Sequence, residues 1–172
     1  MRRSLLPSSS RPGRAKAALG IALALLMSSA PSLSISRAWA SDLAVVVHPQ
    51  LSLENISRER LRRIFMGDQQ FWPGGKPVTL LVQHADTPER GQLLRSVFRM
   101  SEAQFKQYWI AKVFRAEIAA GPKTVLSNDM AAQLITAIPG AIAVMPADQV
   151  PEQLKTLRID GQLPGQPGYG LD

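Results

Sequence analysis

The chain of 172 residues contains no cysteine. Disulfide bonds and thiolate chemistry are therefore excluded, and a folded domain of this sequence must be stabilised by its hydrophobic core alone. Histidine is also scarce, because only His48 and His84 are present. A metal site formed by these two residues with Asp86 is the weaker interpretation, since their spacing matches no metal-ligand pattern. We expect neither a metal ion nor a cofactor.

Long apolar runs are missing as well. The longest, Ala17–Met27, has 11 residues, whereas a membrane-spanning helix needs about 20. This run follows a positively charged start and precedes Ala38-Trp39-Ala40, in which small residues flank a bulky one. The order is typical of a secretory signal peptide, here residues 1–40 with cleavage before Ser41. The alternative is an uncleaved membrane anchor.

Most of the excess positive charge belongs to that N-terminal segment. The whole chain has 20 Lys and Arg residues against 13 Asp and Glu residues. Six of the basic residues and none of the acidic residues precede Ser41. The remainder is nearly neutral, so its composition gives no indication of a nucleic-acid partner.

After Ser41 the sequence alternates apolar strands with capped helices. The predicted strands are Leu43–Val47, Val78–Val82 and Ala141–Met145, with an edge strand over Lys155–Ile159. The predicted helices begin after the capping residues Ser57, Thr87, Ser101 and Ser127. This alternation predicts a three-layer α/β/α fold with a mostly parallel sheet. We assign residues 41–160 to this domain and residues 161–172, rich in glycine, proline and glutamine, to a flexible tail.

The carboxyl ends of the predicted strands carry polar residues. Ligands of such sheets bind at this edge, close to helix N-termini. We expect His48–Gln50, Gln83–Thr87 and Pro146–Asp148 to lie there together.

Five residues between Gln83 and Arg90 form the candidate ligand site. Thr87 could donate its hydroxyl, Gln83 an amide hydrogen and Arg90 a bidentate guanidinium at a helix start. A protonated His84 would add a donor. Asp86 could accept the proton of hydrogen phosphate, which would favour phosphate over sulfate. The alternative is structural: Asp86 or Thr87 caps the helix and Arg90 lies on a solvated face.

Three segments, in their order and spacing, resemble a known family. They are Ala44-Val-Val-Val-His-Pro49, then Leu61-Arg-Arg-Ile-Phe-Met-Gly67 followed by Trp72, and finally Pro139-Gly-Ala-Ile-Ala-Val-Met-Pro146. Together they are similar to the second half of periplasmic phosphate-binding proteins of ABC importers. The resemblance implies one lobe of a type II periplasmic binding protein, located in the periplasm. It also implies phosphate or a related oxyanion as the ligand and a membrane permease as the partner.

The resemblance is incomplete at the ligand site. Family members carry an arginine at the end of the strand equivalent to Val78–Val82, where this chain has about Gln83. Their Ser-Gly-Thr turn is replaced by Asp86-Thr87-Pro88, so that only Thr87 matches. They also have a second lobe, which supplies part of the phosphate site and closes over the ligand. A single lobe would need a partner or a dimer to enclose a ligand, or it would bind weakly.

The alternative function is a ligand-free periplasmic protein-interaction module with the same fold. An exposed apolar patch on the surface that faces the other lobe in the relatives would favour it. We predict that the aromatic stripe on the helix after Ser101 packs in the core rather than serving as a ligand platform. This stripe consists of Phe105, Tyr108, Trp109 and Val113.

A basic cluster on the first helix has two interpretations. It could contact an anionic lipid or an acidic partner, or it could be a solvated helix face. The cluster consists of Arg58, Arg60, Arg62 and Arg63. Neither a glycine-rich phosphate loop nor a nucleophile elbow nor a paired-carboxylate motif is present, so we predict no enzymatic activity. The sequence does not indicate an oligomeric state.

Overall fold

Two completely buried strands, β1 (Leu43–Val47) and β5 (Ala141–Pro146), lie side by side in the central sheet. The computed structural model describes residues 42–171, which belong to one compact unit. The predicted signal peptide, residues 1–40, lies outside the described residues. Within residues 42–171 no helix has the length and apolar character needed to cross a membrane.

The described elements follow the predicted alternation closely. The other strands are β2 (Asn55–Ile56), β3 (Thr79–Gln83), β4 (Lys123–Val125), β6 (Lys155–Thr156) and β7 (Arg158–Ile159). The helices are α1 (Arg58–Phe65), α2 (Pro88–Leu93), α3 (Glu102–Phe114) and α4 (Asn128–Ala137), with a π-helix (Leu94–Phe98) after α2 and a 3-10 turn (Ala147–Gln149) after β5.

The central sheet has five strands in the order β4-β3-β5-β1-β6. β3 pairs in parallel with β4 and β5, whereas β1 pairs antiparallel with β5 and β6. Four strands therefore run in one direction and β1 alone runs in the other. The predicted three-layer fold with a mostly parallel sheet is confirmed.

The reversed direction of β1 corrects one expectation about the ligand edge. Val47 pairs with Ile142, at the start of β5, so His48 lies at the edge opposite to Gln83. Pro146, by contrast, ends β5 on the same edge as Gln83. The sequence could not reveal this reversal, because a strand that is buried on both faces has the same apolar pattern in either direction.

Helices cover both faces of the sheet. Leu43, Val45 and Val47 point into a core shared with α1, α2, the π-helix and α3. The intervening Ala44 and Val46 point into a smaller core shared with α4. This alternation along β1 follows from the two-residue period of a strand.

All four predicted capping residues cap their helices. Each hydroxyl accepts the backbone N–H three residues further along, which satisfies one of the otherwise unpaired donors of a helix start. The capping residues are Ser57, Thr87, Ser101 and Ser127. Ser101 forms a full capping box, since its own N–H also donates to Gln104 Oε1 at 2.8 Å.

The turn before β3 is anchored to the start of β5. Trp72 is buried, and its Nε1 donates to the carbonyl of Gly140 at 2.9 Å. The same carbonyl accepts the N–H of Thr79 at 2.9 Å. A Cβ atom at Gly140 would lie 1.9 Å from the carbonyl oxygen of Pro77, so only glycine permits this close approach.

The C-terminal segment packs against the domain, which corrects the prediction of a flexible tail. Tyr169 is 1% exposed, accepts the N–H of Val45 at 2.9 Å and donates to the carbonyl of Leu157 at 3.0 Å. Leu171 is buried as well. Tyr169 and Leu171 anchor this segment to the domain, although its sequence shows no apolar period. Composition alone therefore did not predict that the segment packs. The predicted edge strand over Lys155–Ile159 is divided into β6 and β7, which join different sheets.

Candidate functional site

Gln83, the last residue of β3, is buried and its amide is engaged. Its Nε2 donates to Asn128 Oδ1 at the start of α4. Asn128 Nδ2 in turn donates to Gln149 Oε1 at 2.6 Å. This chain of side chains links the end of β3, the start of α4 and the turn after β5. It holds the carboxyl ends of β3 and β5 in a fixed arrangement.

Thr87 serves as a helix cap with both hydrogen-bonding roles of its hydroxyl occupied. It accepts the N–H of Arg90 at 3.3 Å and donates to the carbonyl of His84 at 2.9 Å. Asp86 is 90% exposed, and its carboxylate lies 3.5 Å from Nδ1 of the half-exposed His84. A pair this exposed contributes little to stability. His84 therefore keeps freedom to meet a ligand, whereas the Thr87 hydroxyl does not.

Arg90 is only 5% exposed, so the alternative of a solvated arginine is wrong. Its Nε and Nη2 donate to the two carboxylate oxygens of Glu102 at 3.0 and 3.1 Å. The guanidinium also lies 3.9 Å from the centre of the Phe105 ring. The bidentate pair joins α2 to the first turn of α3 and neutralises the arginine. Among the described residues its buried Nη1 has no hydrogen-bond partner.

An open cleft of about 450 Å³ lies at this edge of the sheet. Gln83, His84 and Arg90 line it, whereas Asp86 and Thr87 do not. The structure thus brings together three of the five predicted site residues. Three further polar residues, Glu102, Lys106 and Thr124, also line the cleft and were missed in the sequence. They lie on α3 and β4, which sequence reasoning could not bring to the same edge.

The cleft is nearly balanced in charge. Arg90 is paired with Glu102, and Lys106 Nζ lies 4.0 Å from the same carboxylate. One carboxylate thus faces two cations. Because the lysine is largely exposed, its pairing is weak and its ammonium can turn towards a ligand.

The outer face of α3 is apolar and exposed beside the cleft. Ile110, which lines the cleft, is 62% exposed, Val113 is 43% exposed and Phe114 is 90% exposed. Phe105 and Trp109 are buried on the inner face, which confirms the predicted core packing of the aromatic stripe. Val113, the last residue of the stripe, is exposed and does not follow the prediction of core packing. The signal for this face was present in the sequence, because α3 carries apolar residues around most of its circumference.

The position of α3 is fixed at its far end by a buried lysine. Lys112 Nζ lies 2.5 Å from Asp68 Oδ1 and 3.6 Å from Glu117 Oε2. Burial alone would lower the pKa of Lys112, but its hydrogen bonds with Asp68 and Tyr108 outweigh that effect and raise the pKa. The Tyr108 hydroxyl donates to the carbonyl of Met66 at 2.8 Å, and burial raises its pKa. With Glu102 held at the other end, the exposed face is a stable feature of the surface.

Residues 42–171 contain no group of three or more His, Asp or Glu side chains that could hold a metal ion. His48, which lies at the opposite edge of the sheet, is remote from His84 and Asp86 in the strand register.

Solved structures with a similar fold are transport proteins. One is an ABC-type phosphate transport receptor from Vibrio cholerae, with a TM-score of 0.58, 18% identity and coverage of 72% of this chain and 48% of that chain. A second is a phosphate ABC transporter substrate-binding protein with bound phosphate from Clostridium perfringens, with a TM-score of 0.56, 12% identity and coverage of 70% and 45%. A third is PstS from Borrelia burgdorferi, with a TM-score of 0.56, 14% identity and coverage of 72% and 49%.

The chain therefore spans about half the length of the structures that it matches. No protein-family model matches it, and no curated protein matches its sequence. Identities below a fifth establish similarity of fold and nothing finer. At that level the comparisons agree with the expected architecture, an α/β domain equivalent to one lobe of a phosphate-binding receptor.

Proposed function

We propose that this chain is a periplasmic solute-binding-like protein without catalytic activity, and that its cleft binds phosphate or a related oxyanion for ABC-type import. One observation carries the proposal. His84, Arg90 and Lys106 converge on a single cleft at the carboxyl edge of the sheet, where folds of this type bind ligands. The phosphate bound to the structurally similar protein from Clostridium perfringens supports the ligand class.

The cleft provides half of a binding site. A protonated His84 and the ammonium of Lys106 can donate to an oxyanion from the open side. Arg90 contributes less, because Glu102 already occupies its fork and would repel an incoming anion. Enclosure requires a second surface, from a permease or another periplasmic protein. We therefore expect weak binding by the isolated chain.

Thermal unfolding with added phosphate, added sulfate and no added anion tests this proposal. A ligand at about 100 times its dissociation constant stabilises the folded protein by roughly 2.7 kcal/mol. We expect the midpoint to rise with phosphate in the millimolar range. An unchanged midpoint over that range would contradict the proposal.

A single substitution tests whether Arg90 belongs to the site. Glu102→Gln removes the charge that neutralises Arg90, so phosphate affinity should rise by roughly fivefold or more while the protein loses stability. Glu89→Gln is the matched control, since it removes the same charge from α2 outside the cleft lining. If stability falls in Glu102→Gln but phosphate affinity stays the same, Arg90 has a structural role only.

A second candidate function, a ligand-free interaction module, is supported by the apolar outer face of α3. Ile110, Val113 and Phe114 form a contiguous exposed surface beside the cleft. Such patches mark contact sites on many proteins. The double variant Val113→Ser and Phe114→Ser, at residues outside the cleft lining, should abolish cross-linking to a partner protein in the periplasm while leaving any phosphate-induced shift intact. If cross-linking persists in the double variant, this surface does not mediate the contact.

A further inference from the structure

A second basic recess lies between α1 and the π-helix, and none of its lining residues lines the cleft. Its volume is about 50 Å³, which admits one small group of a few heavy atoms. Three arginines and a hydroxyl line it: Arg58, Arg62, Arg99 and Ser96. We call this site the arginine recess.

Two of these arginines are held in place by backbone carbonyls. Arg62 Nη1 donates to the carbonyl of Val97 at 3.2 Å, so its guanidinium reaches from α1 to the π-helix. Arg58 Nη2 donates to the carbonyl of Gly168 at 2.7 Å. Each bond uses one nitrogen of a guanidinium and leaves other donors for a ligand. The arginines are thus positioned before any anion arrives.

Positive charge in the arginine recess is only partly balanced by the described residues. Arg58 Nε lies 3.8 Å from the carboxylate of Asp160. Within residues 42–171, no ion pair closer than 4.0 Å involves Arg62 or Arg99. Three cations around one small space repel one another, and an anion bound between them would relieve that repulsion.

The backbone around the recess is unusual. The π-helix is a rare element that is often found at functional sites. Arg99 follows it in the left-handed conformation, with φ of 55°, which few residues other than glycine adopt. This conformation lets the chain turn directly after Phe98, and Arg99 lines the recess.

Ser96 indicates which anion fits. Its hydroxyl donates to the carbonyl of Gln92 at 2.9 Å, so towards the recess it can only accept a hydrogen bond. Hydrogen phosphate carries a proton that it could accept, and so does the monoanion of a phosphate monoester, whereas sulfate at neutral pH carries none. Arginine forks match the remaining oxygens of a phosphate group.

We propose that the arginine recess binds the phosphate group of hydrogen phosphate or of a phosphate monoester. Free phosphate, a phosphorylated small molecule and the headgroup of phosphatidic acid share this chemistry. The recess is independent of the cleft, so it binds phosphate whether or not the proposed function is correct. Two members of the basic cluster of α1, Arg58 and Arg62, thereby belong to a specific site rather than to a solvated face.

An NMR titration with inorganic phosphate at low ionic strength separates the two sites. Saturable shifts of the Ser96 and Val97 amides report on the recess, and those of His84 and Ala85 report on the cleft. We expect saturation at Val97 in the millimolar range, with sulfate binding several-fold more weakly. No saturable shift at Val97, or equal affinity for sulfate, would overturn the proposal.

Matched arginine substitutions complete the test. Arg62→Gln and Arg99→Gln should each weaken binding at Val97 by roughly tenfold, since each removes charge-assisted hydrogen bonds. Arg63→Gln removes the same charge from α1 outside the recess and should change the affinity less than about twofold. If Arg63→Gln lowers the phosphate affinity as much as the recess variants do, general electrostatic attraction explains the binding. That result would contradict a specific site in the recess.

Vesicles identify the source of the phosphate group. Sedimentation with phosphatidylcholine vesicles that contain phosphatidic acid is compared with sedimentation on phosphatidylcholine alone. If the protein sediments only with phosphatidic acid and Arg62→Gln abolishes it, the recess recognises a lipid headgroup. If the protein stays in solution while Val97 still responds to inorganic phosphate, the recess recognises a free or small-molecule phosphate.

Discussion

Arg90 beside the cleft and Arg62 in the arginine recess look alike in sequence but differ in environment. Arg90 is buried, and both oxygens of Glu102 occupy its fork. Arg62 is exposed and bonds a single backbone carbonyl, of Val97. The first arginine joins two helices, whereas the second is available for a ligand. The partner of a guanidinium, rather than its distance from a helix start, therefore decides what it can bind.

The strongest test of this comparison is removal of each arginine. Arg90→Ala leaves Glu102 without its partner and the Phe105 ring without its cation, so we expect the free energy of unfolding to fall by about 3 kcal/mol. Arg62→Ala should change it by less than about 0.5 kcal/mol. Urea denaturation of both variants measures the difference. Similar losses would mean that Arg62 is structural too.

The next largest effect concerns Tyr169, whose segment forms a wall of the recess. Tyr169→Phe leaves the buried N–H of Val45 without its acceptor, and we expect a loss of about 2 kcal/mol at neutral pH. The variant should lower the phosphate affinity of the recess and leave that of the cleft unchanged. In the NMR titration, only the affinity measured at the Val97 amide should therefore fall.

Tyr169 also gives stability a defined pH dependence. Burial raises the pKa of Tyr169 to about 12, whereas an unfolded tyrosine ionises near about 10. Its contribution is therefore complete below about pH 10 and is lost as the pH rises through about 12. The wild type should lose more stability over this interval than Tyr169→Phe does. Tyr108→Phe, which leaves Tyr169 in place, is the control. Its stability should fall over this pH interval almost as much as that of the wild type.

The smallest expected effect is at Gly170, which has a positive φ and lies against the guanidinium of Arg58. With φ of 85°, an added Cβ would lie 2.4 Å from Arg58 Cζ. Gly170→Ala should destabilise the protein by about 1 kcal/mol and displace Arg58, which weakens phosphate binding at the recess. Gly161→Ala, at φ of 83° with open space around it, carries the backbone strain alone. Equal phosphate affinity in the two variants would remove Arg58 from the site.

Local structure was largely predictable from the sequence. Caps such as Ser101 and Thr87 act through hydrogen bonds within three residues, and such short-range signals survive in a single sequence. The buried strands were equally clear from their apolar runs. The fold class then followed from the alternation of these elements.

The errors concern contacts between residues that are distant in sequence. Nothing in the sequence linked Glu102 to Arg90. The reversed direction of β1 removed His48 from the ligand edge, because apolar content does not encode strand direction. Tyr169 showed that one buried hydroxyl with two partners can hold a segment of tail-like composition. Each miss involved a tertiary contact that overrides local composition.

The outer face of α3 has a consequence for handling the protein in solution. Phe114 projects almost its whole ring into water, and apolar surface in water carries a free-energy cost of about 25 cal/mol per Å². Copies of the protein at high concentration would reduce that cost if they touched one another through this ring. Solubility, more than resistance to unfolding, is therefore the property that a polar residue at position 114 would improve.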